Sequence, residues 1–78
     1  MMFLNLKKHN IDFLYINGDD IDDSVIGSWL VDNKIDYMIQ NHHIQDVSYN
    51  LTYIIIEEMV FDSEEDIMAF ILRWSNCD

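Results

Sequence analysis

Residues 49–58, YNLTYIIIEE, constrain the fold more than any other segment. Three consecutive isoleucines follow Tyr53, and Glu57 and Glu58 end the apolar stretch at once. β-Branched side chains pack well on a pleated surface and lose rotamer freedom in a helix. The stretch is far too short to cross a bilayer. It reads as a strand buried inside a sheet, continuing toward Phe61, so the remainder of the chain must supply its neighbours.

Three further strands are legible. Residues 2–6 (MFLNL) form a short one that turns at Lys7, Lys8, His9 and Asn10. Residues 11–17 (IDFLYIN) form a firmer one ending at Asn17-Gly18, where glycine supplies open backbone angles. Residues 35–41 (IDYMIQN) form another, followed by a polar loop from His42 to Ser48. Two helices complete the set. The first opens on Asp19, Asp20, Ile21, Asp22 and Asp23, with Ile21, Val25, Ile26, Trp29 and Leu30 as its apolar stripe and Lys34 at its end. Gly27 inside it points to close packing against the sheet. The second opens on overlapping capping boxes, Asp62 with Glu65 and Ser63 with Asp66. Ile67, Phe70, Ile71 and Trp74 trace its inward face, widened by Met68 and Leu72. The order (β)βαββα predicts an α+β fold: a small mixed sheet with two helices on one face, of split βαβ or ferredoxin-like topology. The other sheet face either stays polar or becomes an interface, and some of Tyr15, Tyr37, Tyr49 and Tyr53 must point to it.

Seventy-eight residues make one domain, 1–78, because two cores do not fit in that length. Half the residues are apolar, too many for a disordered tail. Fifteen acids against four bases give a net charge of -11. That balance excludes an ordinary nucleic-acid binder and disfavours an anionic membrane surface. The lone Cys77 closes no intrachain disulfide and no zinc spacing exists. Together with a start that lacks a signal-peptide or membrane-spanning run, this points to a reducing cytoplasm.

The acids gather before the two helices: Asp19, Asp20, Asp22 and Asp23, then Asp62, Glu64, Glu65 and Asp66, with Glu57 and Glu58 upstream. One cap and one or two first-turn acids would satisfy a helix start, so both clusters exceed what capping requires. If strands 11–17 and 49–58 run parallel, the clusters share an edge of the sheet. A calcium loop is excluded, because Gly18 precedes the acids instead of sitting among them. Eleven charges match about five or six base pairs of duplex, so DNA mimicry requires most acids on one face. His42-His43 reads as part of a polar loop. No nucleophile, phosphate-loop or metalloprotease signature occurs, and a domain this small has little room for a pocket beside its core. The chain therefore reads as non-enzymatic, with no cofactor and no metal.

The segment FDSEEDIMAFILRWS, residues 61–75, resembles the ending of many small uncharacterised proteins of large tailed bacteriophages, in which a strand runs into an EED…F.LRW helix. The resemblance implies a phage accessory product acting in the cytoplasm of the infected bacterium. It implies a stoichiometric inhibitor of a host protein with a basic, nucleic-acid-binding surface, of the anti-CRISPR or anti-restriction type. Its partner-binding residues would be Asp19, Asp20, Asp22, Asp23, Glu57, Glu58, Glu64, Glu65 and Asp66. A strand edge added to a partner's sheet is a second route to the same function. An antitoxin-like binder and a virion structural or assembly protein are the competing readings, and a homodimer is compatible with either.

Overall fold

A computed structural model describes residues 2–48 and 50–75. The elements are β1 (Met2–Asn5), β2 (Phe13–Ile16), α1 (Val25–Asp32), β3 (Tyr37–Ser48), β4 (Leu51–Phe61) and α2 (Glu64–Trp74), with 3₁₀ turns at Lys7–His9 and Ile21–Asp23. The fold is α+β, in the order read from the sequence. Tyr49 and Cys77 lie outside the described residues.

β4 pairs with every other strand, always antiparallel. β3 takes one edge along its length, so β1 and β2 follow one another along the other. β1 runs from Met2 opposite Phe61 to Asn5 opposite Glu58, and Leu6 continues it by donating to the Glu57 carbonyl at 3.0 Å. β2 resumes at Phe13, opposite Ile56. The chain between makes a 3₁₀ turn and returns through Asn10, whose left-handed φ of 55° suits an asparagine. A parallel pair was expected, giving a mixed sheet. Instead β2 and β3 run the same way with β4 between them, which keeps the split βαβ element while every adjacent pair is antiparallel.

β3 also reaches further than expected. The stretch from His42 to Ser48, read as a loop, is strand, because its backbone pairs with β4 from Ile56 to Leu51. Weak local propensity is overridden by the bonds a long neighbour offers.

β4 changes face at a bulge. Met59 and Phe61 are fully buried and Ile56 nearly so, an interval that strict alternation forbids. The ladder with β3 passes from Asn41 opposite Glu58 to His42 opposite Ile56, leaving Glu57 as the extra residue. Both halves of β4 thus send isoleucine, methionine and phenylalanine to one core, while Glu57 and Glu58 share the opposite face.

Both helices cover that one face. Phe70 of α2 packs on Phe61 with ring centroids 5.3 Å apart. Trp29 of α1 meets Phe70 at 6.2 Å and stands edge-on to Trp74 at 6.0 Å. Leu4, Leu6, Ile11, Phe13, Ile26, Leu30, Ile35 and Ile67 complete the buried cluster. Two stripes are narrower than the sequence suggested: Val25 is 74% exposed and Leu72 82%, with Met68 exposed beside it.

α1 starts later than expected. The acids form a 3₁₀ turn instead of its first turn, and Ser24 separates the two by accepting from Gly27 N at 3.0 Å. Lys34 lies beyond the helix, at φ 55°. At α2 the cap is Ser63, whose Oγ accepts from Asp66 N at 3.2 Å, and Asp62 stays exposed outside it. Gly27 makes room for this entry and not for the sheet, since a Cβ there would collide with the Ile21 carbonyl oxygen and crowd Ser24 Oγ. Alanine normally stabilises a helix interior by about 1 kcal/mol over glycine. Here Gly27→Ala is expected to destabilise by about 1–3 kcal/mol in urea denaturation, the usual effect of overpacking.

Candidate functional site

The loop after β2 builds an acidic cleft. Gly18, at φ 103°, turns the chain out of the strand, and Asp19 N donates back to the Ile16 carbonyl at 3.0 Å. Asp20 caps the 3₁₀ turn, its Oδ1 accepting from Asp22 N at 3.1 Å. Ser24 Oγ donates to the Ile21 carbonyl at 2.6 Å and fixes the exit. These bonds hold Asp19, Asp20 and Asp23 around a cleft of about 280 Å³ walled by Leu14, Tyr15, Ile16, Val25 and Tyr53. Carboxylates beside aliphatic and phenolic surface suit a cation on an apolar stem, such as a lysine or arginine side chain. The acids meet the charge while the wall covers the methylenes.

The remaining acids lie elsewhere. Asp22 acts on Tyr37, whose phenol is pushed above its ordinary 10.0 first by burial and then by the charges of Asp22, Tyr15 and Asp20. Glu64 and Glu65 border a shallow groove on α2 with Met68, Ala69 and Leu72. Asp66 is half-buried at the cap. Glu57 is paired within the protein, its Oε2 3.5 Å from Lys7 Nζ and its Oε1 3.1 Å from His43 Nδ1. The hydrogen bond from His43 is the main influence holding its carboxyl below the ordinary 4.5. Partial burial opposes it, and the charges of His43 and Lys7 reinforce it.

The two helix-start clusters do not share an edge. That expectation needed β2 and β4 parallel, and they are antiparallel. β2 ends at Ile16 opposite Tyr53, whereas the second cluster follows Phe61 at the other end of β4. Eight residues of strand separate the two positions, about 26 Å at roughly 3.3 Å per residue. The acids therefore form separate patches.

The open sheet face, expected either to stay polar or to become an interface, is not uniformly polar. It carries two apolar groups. Phe3, Val60 and Met38 form one cross-strand row, with Phe3 57% and Met38 61% exposed. Leu14, Ile55, Ile16 and Tyr53 form the second, and it runs into the acidic cleft. Asn5, Glu58, Asn41, Glu57 and His43 lie between them. Tyr15 and Tyr37 are half-buried among the core residues, so Phe3 is the prominent exposed aromatic among the described residues. The alternation in MFLNL carries that signal, because burying Leu4 and Leu6 turns Phe3 outward.

Among the described residues no three histidines, cysteines, aspartates or glutamates gather to hold a metal ion. No described helix is long and apolar enough to cross a membrane. No family model, curated protein or solved structure matches the chain.

Two pH responses follow. A raised phenol pKa means that the stability it contributes is complete below 10.0 and is lost as pH rises through the folded value. Ultraviolet titration should find Tyr37 ionising above its ordinary value, and Asp22→Asn should move it only part of the way back, because the larger effect of burial stays. Glu57 has the opposite sign: its contribution is complete above 4.5 and is lost as pH falls through the lowered folded value. Glu57→Gln should flatten that acid limb in denaturation curves recorded from neutral to acid pH.

Proposed function

We propose that the protein is non-enzymatic and works by stoichiometric binding to a basic surface of another protein. The observation that carries the reading is the acidic cleft opening beside an uncovered apolar sheet face. Apolar contact supplies affinity there, and Asp19, Asp20 and Asp23 select lysine or arginine at the rim. A net charge of -11 steers such a partner toward it. The resemblance of the C-terminal segment to phage accessory proteins makes the partner a bacterial protein met in the host cytoplasm, of the nucleic-acid-handling kind that defence systems use. Inhibition follows from occupying the groove where phosphates would bind.

The separate placement of the acids favours local mimicry of a few phosphates over imitation of a long duplex. Asp22, Glu57, Glu58, Glu64, Glu65 and Asp66 contribute to the general field, and Glu57 least, since Lys7 pairs with it and His43 occupies its other oxygen. An assembly role is the alternative that the uncovered sheet face supports, with apolar contact and no dependence on the cleft.

The triple variant Asp19→Asn, Asp20→Asn, Asp23→Asn separates the two, because asparagine preserves the Asp20 cap. Three exposed charge pairs at about 0.2–1 kcal/mol each predict a roughly threefold to hundredfold loss of affinity for the protein captured from bacterial lysate. Capture unchanged by the triple variant and by high salt overturns the electrostatic reading in favour of assembly.

A further inference from the structure

β3 pairs with β4 along one edge, and no described strand pairs with its other edge. The unbroken part of this ladder runs from His42, opposite Ile56, to Asp46, opposite Thr52. The far side of β4 fixes which way its peptide groups point. The Thr52 carbonyl accepts from Asn17 N at 2.8 Å, across the edge that β2 occupies, so Thr52 turns its peptide groups away from β3. In an antiparallel ladder, residues alternate between exchanging both bonds with the opposite strand and directing both outward. Asp46 therefore directs its N–H and C=O to the open side, and Ile44 and His42 do the same by the two-residue period. Their side chains also share one sheet face, and Ile44 is 61% exposed.

We propose that this edge pairs with the same edge of a second copy, antiparallel about a two-fold axis at Ile44, joining the two sheets into one. A two-fold interface must be complementary to itself. In this register Ile44 meets its own counterpart, and His42 of each copy faces Asp46 of the other. An apolar contact is thus flanked on both sides by a histidine and a carboxylate, and the outward peptide groups of all three residues find partners. Moving the axis by one residue sets Ile44 against His42 or Asp46. It also pushes one outward residue onto Gln40 or Ser48, where the ladder with β4 is irregular. Asp46 is held on its face by Thr52 Oγ1, which donates to Asp46 Oδ1 at 2.9 Å.

Charge permits this approach. Of the chain's fifteen acids, Asp46 alone lies within Tyr37–Ser48, so two strongly negative copies meet there with little local repulsion. Between the irregularities at its two ends, the segment from His42 to Asp46 has neither the proline nor the lysine that often protects an edge. This pairing does not depend on the acidic cleft.

Sedimentation equilibrium on the full chain tests it, with circular dichroism confirming that each variant is folded. A concentration-dependent dimer is expected, tightened or unchanged by added salt, because salt screens the net repulsion. Ile44→Asp should weaken it at least about tenfold, through like charges at the axis and lost apolar contact. Cysteine variants give an independent readout in a Cys77→Ser background. Ile44→Cys should cross-link on oxidation, since directly paired strand residues lie within about 5.5 Å. Ser48→Cys should not, because the two copies of that residue would stand eight strand positions apart, about 26 Å. A monomer at about 100 μM, a dimer indifferent to Ile44→Asp, or equal cross-linking at Ser48 and Ile44 overturns the proposal.

Discussion

β4 uses the hydrogen-bonding groups of both its edges, and the other elements are arranged by that demand. A strand paired on both sides needs neighbours along its whole length. β3 provides them as a hairpin from one side. On the other side two short strands share the work, linked by a turn that leaves the sheet between Leu6 and Phe13. With both edges occupied, β4 has two faces left, and two helices can shield only one. Phe61, Met59, Ile56 and Ile54 receive Phe70, Trp29 and Leu30 on that side. The opposite side keeps its apolar residues at the surface.

The bulge at Glu57 reconciles two requirements of β4. Without it, an eleven-residue strand with Phe61 and Met59 inward would turn Ile56 and Ile54 to solvent. The extra residue switches the alternation and places Glu57 beside Lys7 and His43, where its charge is met. The side chain that breaks the regular pattern is thus paired locally, on the face that also carries Glu58. It lies between two apolar patches and divides the open face into parts of different chemistry.

Much of this was legible in the residues themselves. YIII marks the central strand, the capping serine marks α2, and Asn17-Gly18 marks the exit from β2. Three features were not, each for a physical reason. His42 to Ser48 carries little intrinsic strand preference and becomes strand through β4's pairing groups, which are distant in sequence. Ser24 between the acids and α1 offers a local cap that competes with a longer helix, and the apolar spacing of Ile21 and Val25 conceals it. The direction of β2 relative to β4 depends on which edge each strand takes, a choice made by tertiary packing. That direction decides whether the acidic clusters meet. It sends Asp19, Asp20 and Asp23 to a cleft beside Tyr53 and leaves Glu64 and Glu65 at the far end. The shared edge of two acidic clusters, expected from a parallel β2 and β4, gives way to one walled cleft adjoining an apolar sheet surface.

Amide hydrogen exchange across β4 reads its pairing residue by residue. A strand bonded on both edges protects consecutive amides, because neighbouring residues donate in opposite directions. The arrangement described above predicts strong protection of Ile54, Ile55 and Ile56 alike. Alternating protection, with Ile55 slow and Ile54 and Ile56 fast or the reverse, would place β4 at an edge of the sheet and contradict the account.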